Sequence, residues 1–170
     1  LSAAPGNHEF DQGVSELLRR IYGGNGTTTI THLADPYPGS KAAYVCANVV
    51  WTENKPPLFT PYVIRDAGGV KVAFIGADTA QTPSVSDPED MKGITFENES
   101  EAINRYVPEI QAQGVHAIIA LIHEGGSGDA YNGPTRDNAT VSGRITGIVG
   151  TLDPDVDVVL SAHTHKFSNA

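Results

Sequence analysis

The sequence predicts a layered α/β domain whose strands pair partly in parallel, and two stretches carry that prediction. The last third alternates apolar strand, polar loop, weaker helix and apolar strand, from "VHAIIALIHEGG" through "GSGDAYNGPTRDN" and "ATVSGRITGIVGTL" to "VDVVLSAHTH". That is the rhythm of strands joined by crossover helices. Further upstream, "PYVIRDAGGVKVAFIGAD" sets two apolar-rich runs on either side of Gly68-Gly69, which signals a hairpin. At 170 residues the chain can build one domain with a real core but not two large ones.

The other elements follow in chain order. A first helix is expected from about Asp11, with Val14, Leu17, Leu18 and Ile21 at helical spacing and Gly23-Gly24 as its stop. Residues 24–40, rich in Gly, Thr, Asp and Pro, read as a surface loop. "AAYVCANVVW" (42–51) reads as a buried β-rich run flanked by Tyr44 and Trp51 as core residues. Residues 80–96 are expected to be irregular. "ENESEAINRYVPEIQAQG" places Ile103, Tyr106, Val107 and Ile110 on one helical face, with a kink or break at Pro108. The last helix is expected to use Val141, Ile145, Ile148 and Val149.

Composition narrows the function classes. A net charge of -9 and the lack of a basic stripe argue against binding to a nucleic-acid polymer. Phosphate chemistry stays open, because bound divalent cations reverse the local field of an acidic protein. Cys46 is the one cysteine, so neither an intrachain disulfide nor a cysteine-based zinc site is possible. No stretch approaches the ~18 apolar residues of a membrane span, and no signal-peptide pattern is visible. The start at Leu1 and the end after "SAHTHKFSNA" read as those of a piece of a longer protein.

Chemistry gathers at the carboxyl ends of apolar runs, where open α/β sheets bind ligands. His8 follows "LSAAPGN", His123 follows "AIIALI", and His163 and His165 follow "VDVVLSA". In "HTH" the two imidazoles can share one face of a strand, or a turn can bring them together. Neutral imidazole is a common metal ligand, though an exposed histidine pair is an equally good reading of that tripeptide alone. Glu124, beside His123, reads as facing solvent. "GNHEFD" is the stronger cluster. An Asn7 carbonyl can ligate a metal, and Asp11 can accept one ring N–H of His8, leaving the other nitrogen for a substrate. The bland reading makes Asp11 the cap of the helix that follows.

"GNHEFD", "IHEGG" and "AHTH", in this order, resemble the calcineurin-like metallophosphoesterases, and more closely their 5'-nucleotidase and 2',3'-cyclic phosphodiesterase branch. The resemblance covers essentially the whole chain, including "ANV" at 47–49, and departs at Ala162, where the family usually has Gly. It implies an α/β/β/α sandwich lacking its first strands, with residues 1–170 as part of a catalytic domain. It also implies two divalent metal ions (Zn, Mn, Fe, Mg or Ca). Asn7, His123 and His163 would hold one ion and His165 the other. His8, oriented by Asp11, would act on the phosphoryl group or the leaving oxygen, with Asn7 and His8 also contacting substrate. The implied reaction is in-line, two-metal hydrolysis of phosphate esters, with small nucleotides as substrates.

The family's upstream Asp-x-His and Gly-Asp ligand motifs are not met where they would be expected: no Asp-x-His precedes residue 6, and later acids such as Asp78, Asp129 and Asp137 lie in the wrong order to replace them. Its downstream nucleotide-binding domain is likewise not among these residues. The 170-residue chain is therefore expected to bind metal weakly, to show little activity, and to expose a sheet edge that favours self-association. Placement in the periplasm, at the cell surface or outside the cell is implied by the resemblance only. The rival readings are a sulfur-compound hydrolase on the same scaffold and a non-catalytic binding module. His32 and His116 read as surface residues, the loop 125–139 with Arg136 as a substrate entrance, and "NAT" at Asn138 as a chance glycosylation sequon.

Overall fold

The computed structural model describes residues 1–26, 34–128 and 140–168. His32, Arg136 and Asn138 lie outside the described residues, as does most of the loop expected to shape the entrance. In chain order, the described residues form β1 (Ser2–Ala3), a 3-10 turn (Asn7–Phe10), α1 (Gly13–Tyr22), β2 (Ala43–Tyr44), β3 (Val49–Trp51), β4 (Tyr62–Ala67) and β5 (Val70–Asp78). There follow α2 (Thr82–Val85), β6 (Ile94–Phe96), α3 (Glu99–Asn104), α4 (Val107–Ala112), β7 (Ala117–His123), β8 (Ser127–Gly128), β9 (Val141–Ser142), α5 (Arg144–Val149) and β10 (Val158–Ser161).

The main sheet runs in the order β10-β7-β5-β4. The expected hairpin is its β4–β5 antiparallel pair, turning at Gly68 and Gly69, whose φ values of 68° and 93° suit a residue without a Cβ. β5, β7 and β10 pair in parallel, as the alternation of the last third requires. One face of this sheet carries Ala73, Ile75, Ala77, Ile118, Ala120 and Ile122, all buried against α3, α4 and α5 through Ala102, Ile103, Val107, Ile110, Ile145 and Ile148. Alternating strand residues meet helical residues at three- to four-residue spacing, so each pattern supplies one side of the core.

A second core lies around α1. Val14, Leu17 and Ile21 pack with Phe10, Cys46, Val49, Leu58, Phe59, Met91 and Ile94, beside the short antiparallel pair β3–β6. The two halves meet where the chain crosses β5 at Gly76. A Cβ there would strike the Val45 backbone, and Ala47 N–H donates to Gly76 O at 2.7 Å. Asn48 fastens this crossing: its Oδ1 accepts Asp78 N–H at 2.9 Å while its Nδ2 donates to the Asp78 and Glu97 carbonyls. Cys46 is fully buried beside it, its Sγ donating to Asn48 Oδ1 at 3.3 Å. Burial pushes that thiol up to about 12.

The opposite face of the main sheet is half open. Val63, Phe74, Ile119 and Leu121 are partly exposed, and Val158 and Leu160 on the edge strand β10 are 44% and 55% exposed. The register aligns these residues on one side, which gives the expected apolar surface and unpaired edge among the described residues.

Several local expectations change. α1 begins at Gly13 rather than Asp11, because residues 7–10 first close a separate 3-10 turn. The run 42–51 is not one strand: β2 and β3 are separated by the crossing over Gly76. Residues 80–96 contain α2 and β6. The helix break falls at Arg105–Tyr106, and Pro108 sits in the first turn of α4, where its missing N–H is not needed. Val141 belongs to β9 and Val149 is exposed, so the last helix is shorter than its pattern suggested. Trp51 is 36% exposed rather than core.

Candidate active site

The segment "GNHEFD" folds into a tight turn because its two ends are tied together. Gly6 N–H donates to Glu9 Oε2 at 2.6 Å, and Glu9 N–H returns to Gly6 O at 3.1 Å. Phe10 anchors the turn, fully buried edge-on against Phe59 and Phe96. With Phe10 held inward, Asn7 is buried and His8 projects outward with its side chain 81% exposed. His8 Nδ1 lies 2.8 Å from Asp11 Oδ2. Asp11 closes the 3-10 turn and does not start α1, whose N-cap residue is Gln12. The Asp11 side chain is therefore spent on the imidazole.

Asn7 meets His123, which stands at the last position of β7. His123 Nε2 lies 3.1 Å from Asn7 Oδ1 and 3.2 Å from His163 Nδ1, with the two imidazole rings edge to face. Gly6 makes this approach possible, since a Cβ there would sit 2.5 Å from the His123 ring. Burial, with His163 beside it, lowers the pKa of His123, which favours the neutral, lone-pair-bearing ring.

The "HTH" segment reaches this point by a turn and not by strand alternation. β10 ends at Ser161, and His163 and His165 both take positive φ, 74° and 54°, a conformation uncommon outside glycine. Thr164 Oγ1 donates to Gly126 O at 2.7 Å, locking the turn to the residues after His123. Gly125 is required there, as a Cβ would collide with the Ala162 carbonyl. Asn7, His123 and His163 are thus brought together, and His8 with Asp11 stands next in the chain. Among the described residues no hydrogen bond or ring contact joins His165 to them, and its side chain is exposed.

Behind His123 lies a buried polar network that sequence reasoning missed. Glu124 is 4% exposed instead of facing solvent. Its Oε2 accepts from Thr79 Oγ1 at 2.7 Å and Arg144 Nη1 at 3.0 Å, while Gly125 N–H donates to Oε1 at 2.9 Å. Arg144 also grips fully buried Glu99 with both terminal nitrogens. Burial pushes Glu124 up, but the Thr79 and Gly125 hydrogen bonds and the Arg144 charge outweigh it and leave the carboxyl below its ordinary value. Asp78, paired with His123 in the β5–β7 register, makes no ion pair with a cation among the described residues. Burial drives it up to about 8 despite hydrogen bonds from Thr82 and Thr79. The only signal in the sequence was position: Asp78 and Glu124 both stand at strand ends.

The donor set suits a divalent cation in part. Two imidazoles and an amide oxygen, from three segments far apart in sequence, converge within hydrogen-bond distance, and neutral imidazole with a carbonyl oxygen is good chemistry for such ions. Among the described residues, no group of three or more His, Cys, Asp or Glu is placed to hold a metal. These three side chains supply no negative charge of their own.

No protein-family model matches the chain. The structure superposes on a calcineurin-like phosphoesterase, YfkN of Bacillus subtilis, with a TM-score of 0.70 at 26% identity, covering 99% of this chain and 46% of that one. The chain has the fold of the calcineurin-like phosphoesterases. A 5'-nucleotidase precursor from Thermus thermophilus shares the fold with a TM-score of 0.68 at 27% identity over 95% of this chain and 25% of its own. In sequence, the chain is 36% identical to the cell wall protein Lmo0130 of Listeria monocytogenes and 35% to the endonuclease YhcR of Bacillus subtilis. It is 25% identical to a 2',3'-cyclic-nucleotide 2'-phosphodiesterase/3'-nucleotidase of Salmonella typhimurium. These alignments cover 94–96% of this chain but only 22%, 12% and 22% of the respective relatives.

Proposed function

We propose that the protein containing this chain hydrolyses phosphate esters, with 5'-nucleotides or 2',3'-cyclic nucleotides as substrates. The observation that carries this reading is the convergence of Asn7, His123 and His163, with the His8–Asp11 pair adjoining Asn7. The nucleotidase and cyclic phosphodiesterase relatives support it. Asn7, His123 and His163 hold one divalent ion and His165 serves a second, their identity among Zn, Mn, Fe, Mg and Ca being open to metal analysis. Bound ions of this kind polarise the phosphoryl oxygens and lower the pKa of water.

The chain's own residues do the rest. Asp11 holds Nδ1 of His8, so Nε2 is the nitrogen turned toward substrate. There it hands a proton to the leaving oxygen as the P–O bond breaks, and Asn7 and His8 orient the phosphoryl group. Substrates are small nucleotides and not polymers, because the chain carries a net charge of -9 and no basic stripe. Placement at the cell surface, in the periplasm or outside the cell is supported by the cell wall relative. Taken alone, the 170-residue chain holds metal weakly and turns over little, since among the described residues no anionic side chain joins Asn7, His123 and His163.

The test is phosphate release from adenosine 5'-monophosphate and adenosine 2',3'-cyclic monophosphate by the full-length protein, after chelation and after divalent ions are restored. Release should return with metal and fall by about 10² or more in His8→Ala. A metal-loaded protein that releases phosphate from neither would overturn the reading.

A further inference from the structure

His163 sits on a turn that has little packing to hold it. Of residues 161–167 all but His163 are exposed, and His163 and His165 both take positive φ, 74° and 54°. Residues other than glycine keep that conformation only where their surroundings impose it. Two hydrogen bonds bracket His163 here, one on each side, and both end on the segment that carries His123. Ala162 N–H donates to Ile122 O at 3.2 Å, which continues the β7–β10 ladder one residue past Ser161. Thr164 Oγ1 donates to Gly126 O at 2.7 Å.

These bonds close a ring. It runs from Ile122 through His123 to Gly126, across to Thr164, and back through His163 and Ala162 to Ile122. The 3.2 Å contact between His123 Nε2 and His163 Nδ1 joins its two sides. The ring closes only because residue 125 is bare: a Cβ on Gly125 would lie 2.2 Å from Ala162 O and 2.5 Å from Thr164 Oγ1. Gly126, the acceptor, is itself fixed from outside. A Cβ on it would lie 2.4 Å from Ser142 O and 2.9 Å from the Ile145 side chain, and Ile145 N–H donates to Gly125 O at 3.3 Å. Glu124, held by Arg144 and Thr79, stiffens the same stretch. The Thr164 hydroxyl therefore measures His163 from a fixed point.

We propose that Thr164 is a positioning residue, whose hydroxyl closes the ring that sets how His163 faces His123 and so sets how tightly the pair takes a divalent cation. The inference rests on the metal-dependent phosphoesterase reading. Without the hydroxyl, the turn stays tied at Ala162 but loses its nearest tie on the far side of His163. Two imidazoles held at one spacing lose little freedom when a cation arrives, whereas a ring on a loosened turn must first be ordered. A short side chain with a hydroxyl donor is what the position requires, because Thr164 Cγ2 also stands 3.0 Å from where a Gly125 Cβ would be.

The experiment is Co²⁺ binding to the chelated full-length protein, followed by calorimetry and by the visible absorption of the bound ion. It compares wild type, Thr164→Val and Thr164→Ser, with His163→Ala marking which binding event belongs to this pair. Val keeps the branched shape and loses the donor; Ser keeps the donor and loses the methyl. Affinity should fall about tenfold or more in Thr164→Val, with shifted absorption bands, while Thr164→Ser stays near wild type. Equal affinity and an unchanged spectrum in Thr164→Val overturn the positioning role, whether or not phosphate is released. A Ser variant as weak as the Val variant overturns it too, since the hydroxyl is then not what counts. Weakened binding in Thr164→Val, in a protein that releases no phosphate, ends the phosphoesterase reading and leaves the positioning role standing. A wild-type protein that binds no Co²⁺ overturns both.

Discussion

His123 and His8 are the two most informative histidines of the site, and they are held in opposite ways. His123 ends a central strand, and the next residue, Glu124, is gripped by Thr79, Gly125 and Arg144, with fully buried Glu99 behind them. His8 stands on a turn at the surface with one partner, Asp11. Buried polar networks fix geometry but tolerate no missing member, whereas an exposed pair adds little to stability and leaves its ring free to move a proton. The first arrangement suits the role proposed for His123 as a metal ligand, and the second the role proposed for His8 as a proton donor.

The sharpest way to break this comparison is at Arg144. Arg144→Met leaves Glu99 and Glu124 buried without their cation, and should destabilise the protein by about 3 kcal/mol. Denaturant unfolding measures it, and Arg144→Lys should recover only part, because one ammonium cannot reproduce a two-pronged grip. A loss below about 0.5 kcal/mol would mean that the network does not anchor the His123 turn.

Asp78 tests the same region without removing a cation. Its carboxyl is raised from 3.8 to about 8, so the folded protein keeps a proton that the unfolded chain releases. Its contribution is therefore fully present below about pH 4 and is lost as pH rises through about 8. Asp78→Asn should flatten that decline, and melting temperatures at pH 5 and pH 9 should differ less in the variant than in the wild type. An identical pH dependence in both would show that Asp78 is ionised in the folded state.

The smallest effect on stability belongs to the exposed pair. Asp11→Asn should change unfolding free energy by less than about 0.5 kcal/mol while lowering kcat on a nucleotide by about tenfold or more. A large stability loss with unchanged kcat would reverse the contrast between the two histidines.

Much of this was legible in the sequence, for identifiable reasons. The β4–β5 hairpin, β7 and β10 announce themselves through apolar runs bounded by glycine or polar turns, and α1 through its spaced aliphatic residues. Asn7, His8, Asp11, His123 and His163 could be singled out because each lies in a short polar motif at the end of an apolar run. Arg144, Glu99 and Thr79 could not. Each is an ordinary polar residue in its local context, and their partners lie 20 to 45 positions away. Only the packing of α3 and α5 on one sheet face brings them together. Glu124 was misjudged for the same cause: a charged residue after a strand reads as solvated until its distant arginine is known. The three-residue strands β3 and β6 are likewise too short for periodicity to reveal, and exist because each completes the other.

Cys46 has a practical consequence for any laboratory that handles the protein. It is the only thiol in these residues, fully buried at the crossing where the two cores meet, with its acidity suppressed. A thiolate-seeking reagent reaches it only when that crossing opens. The chain thus carries its own clock, in which the rate of alkylation at one sulfur reports how often the seam between its two halves comes apart.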